Sequence, residues 1–116
     1  MTIQYKNQGF KQADTNLNTV LTCPTDATLI VKSIYCANND ASSAIQVNAS
    51  LIDTSDSSTE YEFFRDDIAA KSQVNASPQG VNLEAGDLIK IQAATGSNKI
   101  QGVISYALID RSQENG

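Results

Sequence analysis

Carboxylates are the first candidates for chemistry in this sequence, because its 116 residues include 13 Asp and Glu but no histidine. Without histidine there can be no Ser-His-Asp triad, no Cys-His pair and no imidazole metal ligand. No glycine-rich turn of the phosphate-binding type occurs either. The acidic residues concentrate in three stretches, which are residues 53–60, 60–67 and 84–87.

The spacing of the carboxylates between positions 60 and 67 does not predict a catalytic pair. Asp66 and Asp67 are adjacent, so in an extended chain they point to opposite faces of a sheet. Glu60 and Glu62 share a face, but on a strand that we expect to be solvated. Glycosidase chemistry requires two carboxyl groups roughly 5 to 9.5 Å apart across a cleft. We therefore predict no catalytic residue, no cofactor and no enzymatic activity.

The stretch DTSDSSTE, residues 53 to 60, offers possible calcium ligands at Asp53, Asp56 and Glu60. It lacks the glycine at the sixth position and the twelve-residue spacing of an EF-hand loop. We interpret it as a polar hairpin loop and predict no metal site.

In VNLEAGDLIKIQA, residues 81 to 93, two carboxylates surround a glycine before an alternating apolar run. Gly86 can adopt a positive φ, and Asp87 can accept hydrogen bonds from nearby backbone amides. We predict a hairpin corner that sets the register of the following strand, with Glu84 solvated.

Net charge and hydropathy limit the partners. The formal charge is −5 and the pI is about 4.4, which disfavours nucleic acid and anionic membranes. No apolar stretch approaches the roughly 18 residues of a membrane span. We predict neither a nucleic-acid partner nor a membrane.

Short alternating segments separated by polar turns predict an all-β fold. We expect a single-domain antiparallel β-sandwich or jelly-roll of about eight strands. The predicted domain covers residues 17–110, between an N-terminal arm at 1–16 and a C-terminal tail at 111–116. In the last strand Ile100, Ile104, Tyr106 and Leu108 share one parity.

The two cysteines, Cys23 and Cys36, both lie in predicted strands. We interpret them as small buried apolar residues, since free cysteine is among the most buried residue types. A disulfide is the alternative if their strands are neighbours.

Six apolar side chains are candidates for contacts with other subunits. Ile3, Tyr5 and Phe10 could anchor the arm along its own domain or along a neighbour, unless the terminus is frayed. Phe63 and Phe64 are adjacent on one strand, so at least one should leave the core unless a loop covers both. The predicted interface residues are Ile3, Tyr5, Phe10, Tyr61, Phe63 and Phe64.

Three stretches carry a resemblance to a known group. LTCPTDATLIVKSIYCANND, VNLEAGDLIKIQA and ISYALID resemble, in this order, small β-sandwich virion proteins of tailed phages, including cyanophages. The resemblance implies a non-enzymatic structural protein of the virion, above all a capsid decoration or cement protein. Neck, tail or fibre ring components are the alternative.

The resemblance also implies the partners. These would be further copies of the chain, as a homotrimer or ring, together with the major capsid protein or neck and tail proteins. A carbohydrate-binding module for host recognition is the competing function. The absence of tryptophan disfavours it, because sugar sites usually stack rings on exposed Trp or Tyr.

Overall fold

The computed structural model describes residues 2–112 and contains nine β-strands with one short 3₁₀ turn, Thr54–Asp56. The strands are β1 Thr2–Lys11, β2 Asn18–Thr22, β3 Ala27–Asn38, β4 Ile45–Asp53, β5 Thr59–Ile68, β6 Gln73–Asn75, β7 Val81–Leu83, β8 Leu88–Ala93 and β9 Ile100–Asp110.

The strands form two antiparallel sheets. Sheet A has the order β1-β9-β3-β6, with β7 also paired to β3, and sheet B has the order β2-β8-β4-β5. Strands β6 and β7 pair with successive parts of β3, around Cys36 and Ile30, so they act as one strand interrupted near Pro78. With that strand counted once, the chain has eight strands that switch sheets at every connection except the β4–β5 hairpin. This is a jelly-roll sandwich, and the predicted fold class is confirmed.

The core lies between the sheets and is mainly aliphatic. Alternate residues of each central strand are buried, as the period of two requires. The largest fully buried apolar side chains are Leu29, Val31, Ile34, Val47, Ile68, Leu83, Ile89, Ile91, Ile100 and Ile104. In β9, Ile100, Ile104 and Tyr106 are buried and Leu108 packs against the core, as their shared parity predicts.

The segment predicted as an arm is a strand of sheet A over most of its length. Strand β1 pairs with β9 from Thr2 opposite Asp110 to Lys11 opposite Gln101. Of the two placements considered for this segment, the structure has the one along its own domain. Without β1, the backbone groups along one edge of the 11-residue strand β9 would lack hydrogen-bond partners within the sheet, and the pairing supplies them. The sequence did not indicate it, since β1 has no apolar stripe and all its residues except Phe10 are exposed.

The C-terminal tail was predicted at 111–116. Arg111 and Ser112 follow β9, and the backbone amide of Arg111 donates to the carbonyl of Asp26. The remainder of the predicted tail lies outside the described residues. In the described part of the chain, no helix has the length and apolar character needed to cross a bilayer.

Candidate functional surfaces

The acidic turn before β8 is a structural corner. The carboxylate of Asp87 is buried and accepts hydrogen bonds from the amide of Thr54 at 3.1 Å, the hydroxyl of Thr54 at 3.2 Å and the amide of Glu84 at 2.9 Å. Gly86 has a φ of +84°, and Glu84 is exposed. Asp87 thereby joins the end of β7 in sheet A to the end of β4 in sheet B. The positive φ of Gly86 and the backbone hydrogen bonds to Asp87 are as predicted. The predicted hairpin is wrong, because β7 and β8 belong to different sheets and the turn between them crosses from one sheet to the other.

The three carboxylates considered for calcium are each engaged by their own chain. Asp53 caps the 3₁₀ turn by accepting from the amide and hydroxyl of Ser55. Asp56 accepts from the hydroxyl of Tyr61, which raises the pKa of that phenol. Glu60 accepts from the buried hydroxyl of Ser50 at 2.7 Å. Between Thr2 and Ser112 no three acidic or thiol side chains form a group that could hold a metal ion.

The carboxylates of β5 face water. Glu62 forms a salt bridge with Arg65 at 2.7 Å, and the hydrogen bond from Arg65 lowers the pKa of Glu62. Asp66 and Asp67 are both exposed. All four carboxylates of β5 are exposed on one edge strand, whereas glycosidase chemistry places two carboxyl groups on either side of a cleft.

Both cysteines are free and buried, as the sequence indicated. Desolvation raises the pKa of the Cys36 thiol to about 12 and also raises that of Cys23. The Cys23 thiol points at the carbonyls of Ala27 and Leu83, at 3.3 and 3.6 Å. Two protonated, buried thiols have no nucleophilic role at neutral pH.

An apolar surface lies on the outer face of sheet A, the side turned away from sheet B. In register, Tyr5 lies opposite Ala107, which lies opposite Ile30, and Val103 lies between Gly9 and Tyr35. Five of the seven exposed large hydrophobic side chains between Thr2 and Ser112 belong to this face. They are Ile3, Tyr5, Ile30, Tyr35 and Val103. We call this surface face A.

A hollow of about 540 Å³ opens at one end of face A. Its floor consists of small residues, Gly9, Gly102 and Ala37, and its walls include Tyr35 and Val103. Gly102 must lack a side chain, since a Cβ there would lie 2.1 Å from the carbonyl oxygen of Tyr35 and 2.5 Å from the ring of Phe10. Glycine near the start of β9 therefore lets strands β1, β9 and β3 and the ring of Phe10 pack closely beneath the hollow.

Charge is distributed unequally between the two sheets. The strands of sheet A carry Lys6, Lys11 and Lys32 against one acidic residue, Asp110. The ammonium group of Lys32 lies 4.9 Å from the centre of the Tyr5 ring on face A. The strands of sheet B carry five carboxylates, Asp53, Glu60, Glu62, Asp66 and Asp67, against Arg65 and Lys90.

The other two exposed large hydrophobic residues lie on β5, at the edge of sheet B. Tyr61 is 50% and Phe63 37% exposed. The pairing of β4 with β5 shifts register here, with Ala49 opposite Phe64 and Ser50 opposite Glu62. Phe63 is thus the extra residue of a β-bulge. Phe64 is half-buried against the core. We call the exposed part of β5 with Tyr61 and Phe63 the β5 edge.

The six predicted interface residues are divided among three places. Ile3 and Tyr5 lie on face A, Tyr61 and Phe63 on the β5 edge, and Phe10 and Phe64 pack against the core. The sequence reasoning missed Ile30, Tyr35 and Val103. A signal was present for two of them, because β3 carries apolar residues on both parities and only one parity can face the core.

Comparison with known proteins gives matches in structure alone. No protein-family model matches the chain, and no curated protein sequence matches it. A chain from the acidic stable capsid of Helicobacter pylori bacteriophage KHP30 is similar over 97% of this chain and 90% of its own length, with a TM-score of 0.60 and 16% identity.

Two further solved structures share the fold. A chain of Bacillus endospore appendages, described as a family of disulfide-linked pili, is similar over 95% of this chain and 88% of its own, with a TM-score of 0.50 and 12% identity. A chain from the T13 IBDV viral particle is similar over 94% of this chain and 31% of its own, with a TM-score of 0.57 and 6% identity. At these identities the likeness establishes the fold, a jelly-roll also present in a phage capsid and a viral particle.

Proposed function

We propose that this protein is a non-enzymatic structural component of a phage virion, acting as a capsid decoration or cement protein. It binds further copies of itself and the capsomers beneath it, and it turns over no substrate. The observation that carries the proposal is face A, where five large hydrophobic side chains stay exposed on one side of a single sheet. A surface of this kind is typical of a protein that works in contact with other proteins.

Two other observations support the proposal. The whole chain shares its fold with a chain of similar length from a phage capsid. Among the described residues, Asp53, Glu60 and Asp87 accept hydrogen bonds from their own chain, and both cysteines are buried. These contacts support a role in binding over one in catalysis.

A ring or fibre component of the neck or tail is the second candidate. The observation in its favour is the likeness to a chain of the Bacillus endospore appendages, since the same fold occurs there in a pilus. Disulfide links between subunits would not hold such an assembly of this chain, because Cys23 and Cys36 are both buried.

Copy number in the virion tests the proposal. Virions of a phage whose genome encodes this chain would be purified and analysed by quantitative mass spectrometry against the major capsid protein. A decoration or cement protein is expected at a copy number comparable to that of the major capsid protein. A few copies per particle would instead assign it to the neck or tail, and absence from the virion would overturn the structural role.

Binding to glycans tests the competing class. The structure has exposed tyrosines on both sheets, Tyr5, Tyr35 and Tyr61, and Tyr35 lines the hollow of face A. We expect no reproducible signal on a glycan array. Binding to one glycan that is lost in Tyr35→Ala would favour host recognition over a shell component.

A further inference from the structure

We propose that copies of this chain associate head to tail, with the β5 edge of one copy seated in the hollow of face A of the next. This contact rests on the proposed function, in which the chain works as an assembly, and it names the surfaces that assemble. The seven exposed large hydrophobic residues within the described chain fall into two groups, five on face A and two on the β5 edge. The head-to-tail contact covers both groups at once.

The shapes of the two surfaces suit this contact. Phe63 is the extra residue of the β5 bulge, and bulges commonly re-aim a side chain out of the regular ladder. The hollow of about 540 Å³ has a floor of small residues and apolar walls at Tyr35 and Val103. An aromatic ring from a neighbouring copy would there contact the apolar side chains of Tyr35 and Val103, and aromatic anchors of this kind are common hot spots of interfaces.

The charges of the two surfaces are complementary. Lys11 lines the hollow and Lys32 lies on face A beside Tyr5. In β5, Phe63 is flanked by four carboxylates and one cation, Arg65, which pairs with Glu62. The carboxylates are Glu60, Glu62, Asp66 and Asp67. A basic apolar surface therefore meets an acidic apolar one. Packing of face A on a second face A would bring lysines together. The contact between face A and the β5 edge avoids this repulsion, because the two surfaces carry opposite charges.

Face A is large enough for a stable contact. Three strands of 10 to 12 residues, spaced about 4.8 Å apart, with the three-residue strands β6 and β7 beside them, cover roughly 600 Å². A standard specific interface buries about 800 Å² on each partner. Face A with the strands' flanking turns therefore approaches the area that such an interface requires.

The geometry also determines the symmetry. Face A is the outer side of sheet A, whereas the β5 edge is an edge strand of sheet B, so the contact joins two different surfaces of the chain. A contact between two different surfaces is heterologous and closes into a ring or continues as a filament. The predicted trimer or ring is the closed form of this contact.

Mixing two defective variants tests the contact directly. Phe63→Asp removes the inserted ring but keeps the hollow, and Val103→Asp places a carboxylate in the wall of the hollow but keeps Phe63. Each variant alone should self-associate roughly thirtyfold or more weakly than wild type in sedimentation equilibrium, the loss expected of a hot-spot side chain. An equimolar mixture should form a heterodimer of wild-type affinity, since one intact contact remains, and should grow no further.

The matched control is Thr19→Asp, which adds the same charge at an exposed position of β2, on the opposite edge of sheet B from β5. It should assemble as wild type does. Circular dichroism and unfolding midpoints verify that every variant folds. If either aspartate variant is misfolded, Phe63→Ala and Val103→Ala test the same contact without the added charge.

Three results would overturn the head-to-tail contact. These are a monomeric wild type at the concentrations of assembly, a mixture that forms no heterodimer, and a loss of association in Val103→Asp with none in Phe63→Asp, which would indicate that face A packs on itself. The proposed function fails separately. A monomer that is nevertheless abundant in virions keeps its structural role, while an oligomer absent from virions loses it.

Discussion

The two outer faces of the sandwich differ although the inner faces are alike. Both inner faces present buried aliphatic residues, such as Ile34 in sheet A and Ile91 in sheet B. On the outside, sheet B presents polar side chains that satisfy one another, including Ser50 with Glu60 and Arg65 with Glu62. Face A instead presents Tyr35, Val103 and other apolar side chains to solvent.

This difference indicates which side of the molecule faces other proteins. Sheet B gains nothing from being covered at its centre, because its polar groups already have partners or water. The apolar side chains of face A stay in contact with water as long as the face is uncovered, and burying them would be favourable. Folding thus accounts for both inner faces and for the outer face of sheet B, while face A would be accounted for by the association proposed above. Four predictions test this difference between the two sheets.

The largest effect is expected at the floor of the hollow. Gly102→Ala should lower the free energy of unfolding by about 3 kcal/mol or more, because the new Cβ would lie 2.1 Å from a backbone oxygen that cannot move freely. Gly9→Ala is the matched control on the neighbouring strand, where the nearest atom to a Cβ would be 3.8 Å away. Urea denaturation of both variants measures the difference. Equal stability of the two would show that the packing of β1, β9 and β3 does not depend on glycine at position 102.

The next effect concerns the side chain that links the two sheets. Asp87→Ala removes the acceptor for the amides of Thr54 and Glu84 and should cost about 2–3 kcal/mol in denaturant unfolding. Glu84→Gln, at an exposed position three residues earlier, should leave the midpoint unchanged. If Asp87→Ala left the free energy of unfolding unchanged, water would be replacing the carboxylate and the core alone would hold the two sheets together.

The third prediction concerns Cys36 on the inner side of β3, which is buried in the core next to the exposed Tyr35. Burial raises the pKa of Cys36 from 9.0 to about 12. Between pH 9.0 and about pH 12 the Cys36 thiol ionises in the unfolded chain but not in the folded one. The thiol therefore contributes stability below pH 9.0 that is lost as the pH rises. The slope from Cys36 should approach about 1.4 kcal/mol per pH unit.

Cys36→Ala is the comparison for that slope, because it keeps the lysines, the tyrosines and Cys23. Unfolding free energies measured from pH 8 to pH 10.5 should fall more steeply in wild type than in Cys36→Ala. Parallel curves would contradict the assignment of a desolvated thiol to the inner side of sheet A.

The smallest effect is expected on the outer face of sheet B. Arg65→Gln removes the partner of Glu62, yet exposed ion pairs contribute little to stability. We expect no measurable shift in the unfolding midpoint. A clear loss of stability in Arg65→Gln would show that folding depends on the polar pairs of this face, and the contrast between the two faces would then be wrong.

The sequence alone was sufficient for the fold class because alternation reports burial directly. The shared parity of Ile100 and Ile104 and the turn chemistry of Gly86 and Asp87 both identified features that the structure contains. Strand β1 escaped notice since nothing in its own residues requires burial, apart from Phe10. Its conformation is imposed by the edge of β9, which is distant in sequence.

What the sequence determined by itself is therefore local: strands, turns and a buried pair of cysteines. Only the tertiary structure decided which exposed apolar residues belong together. Ile3, Ile30 and Val103 are far apart in the chain and meet on one face because β1, β9 and β3 are neighbours in sheet A. A surface is set by which strands pair, and pairing between distant strands leaves no periodic trace in either of them.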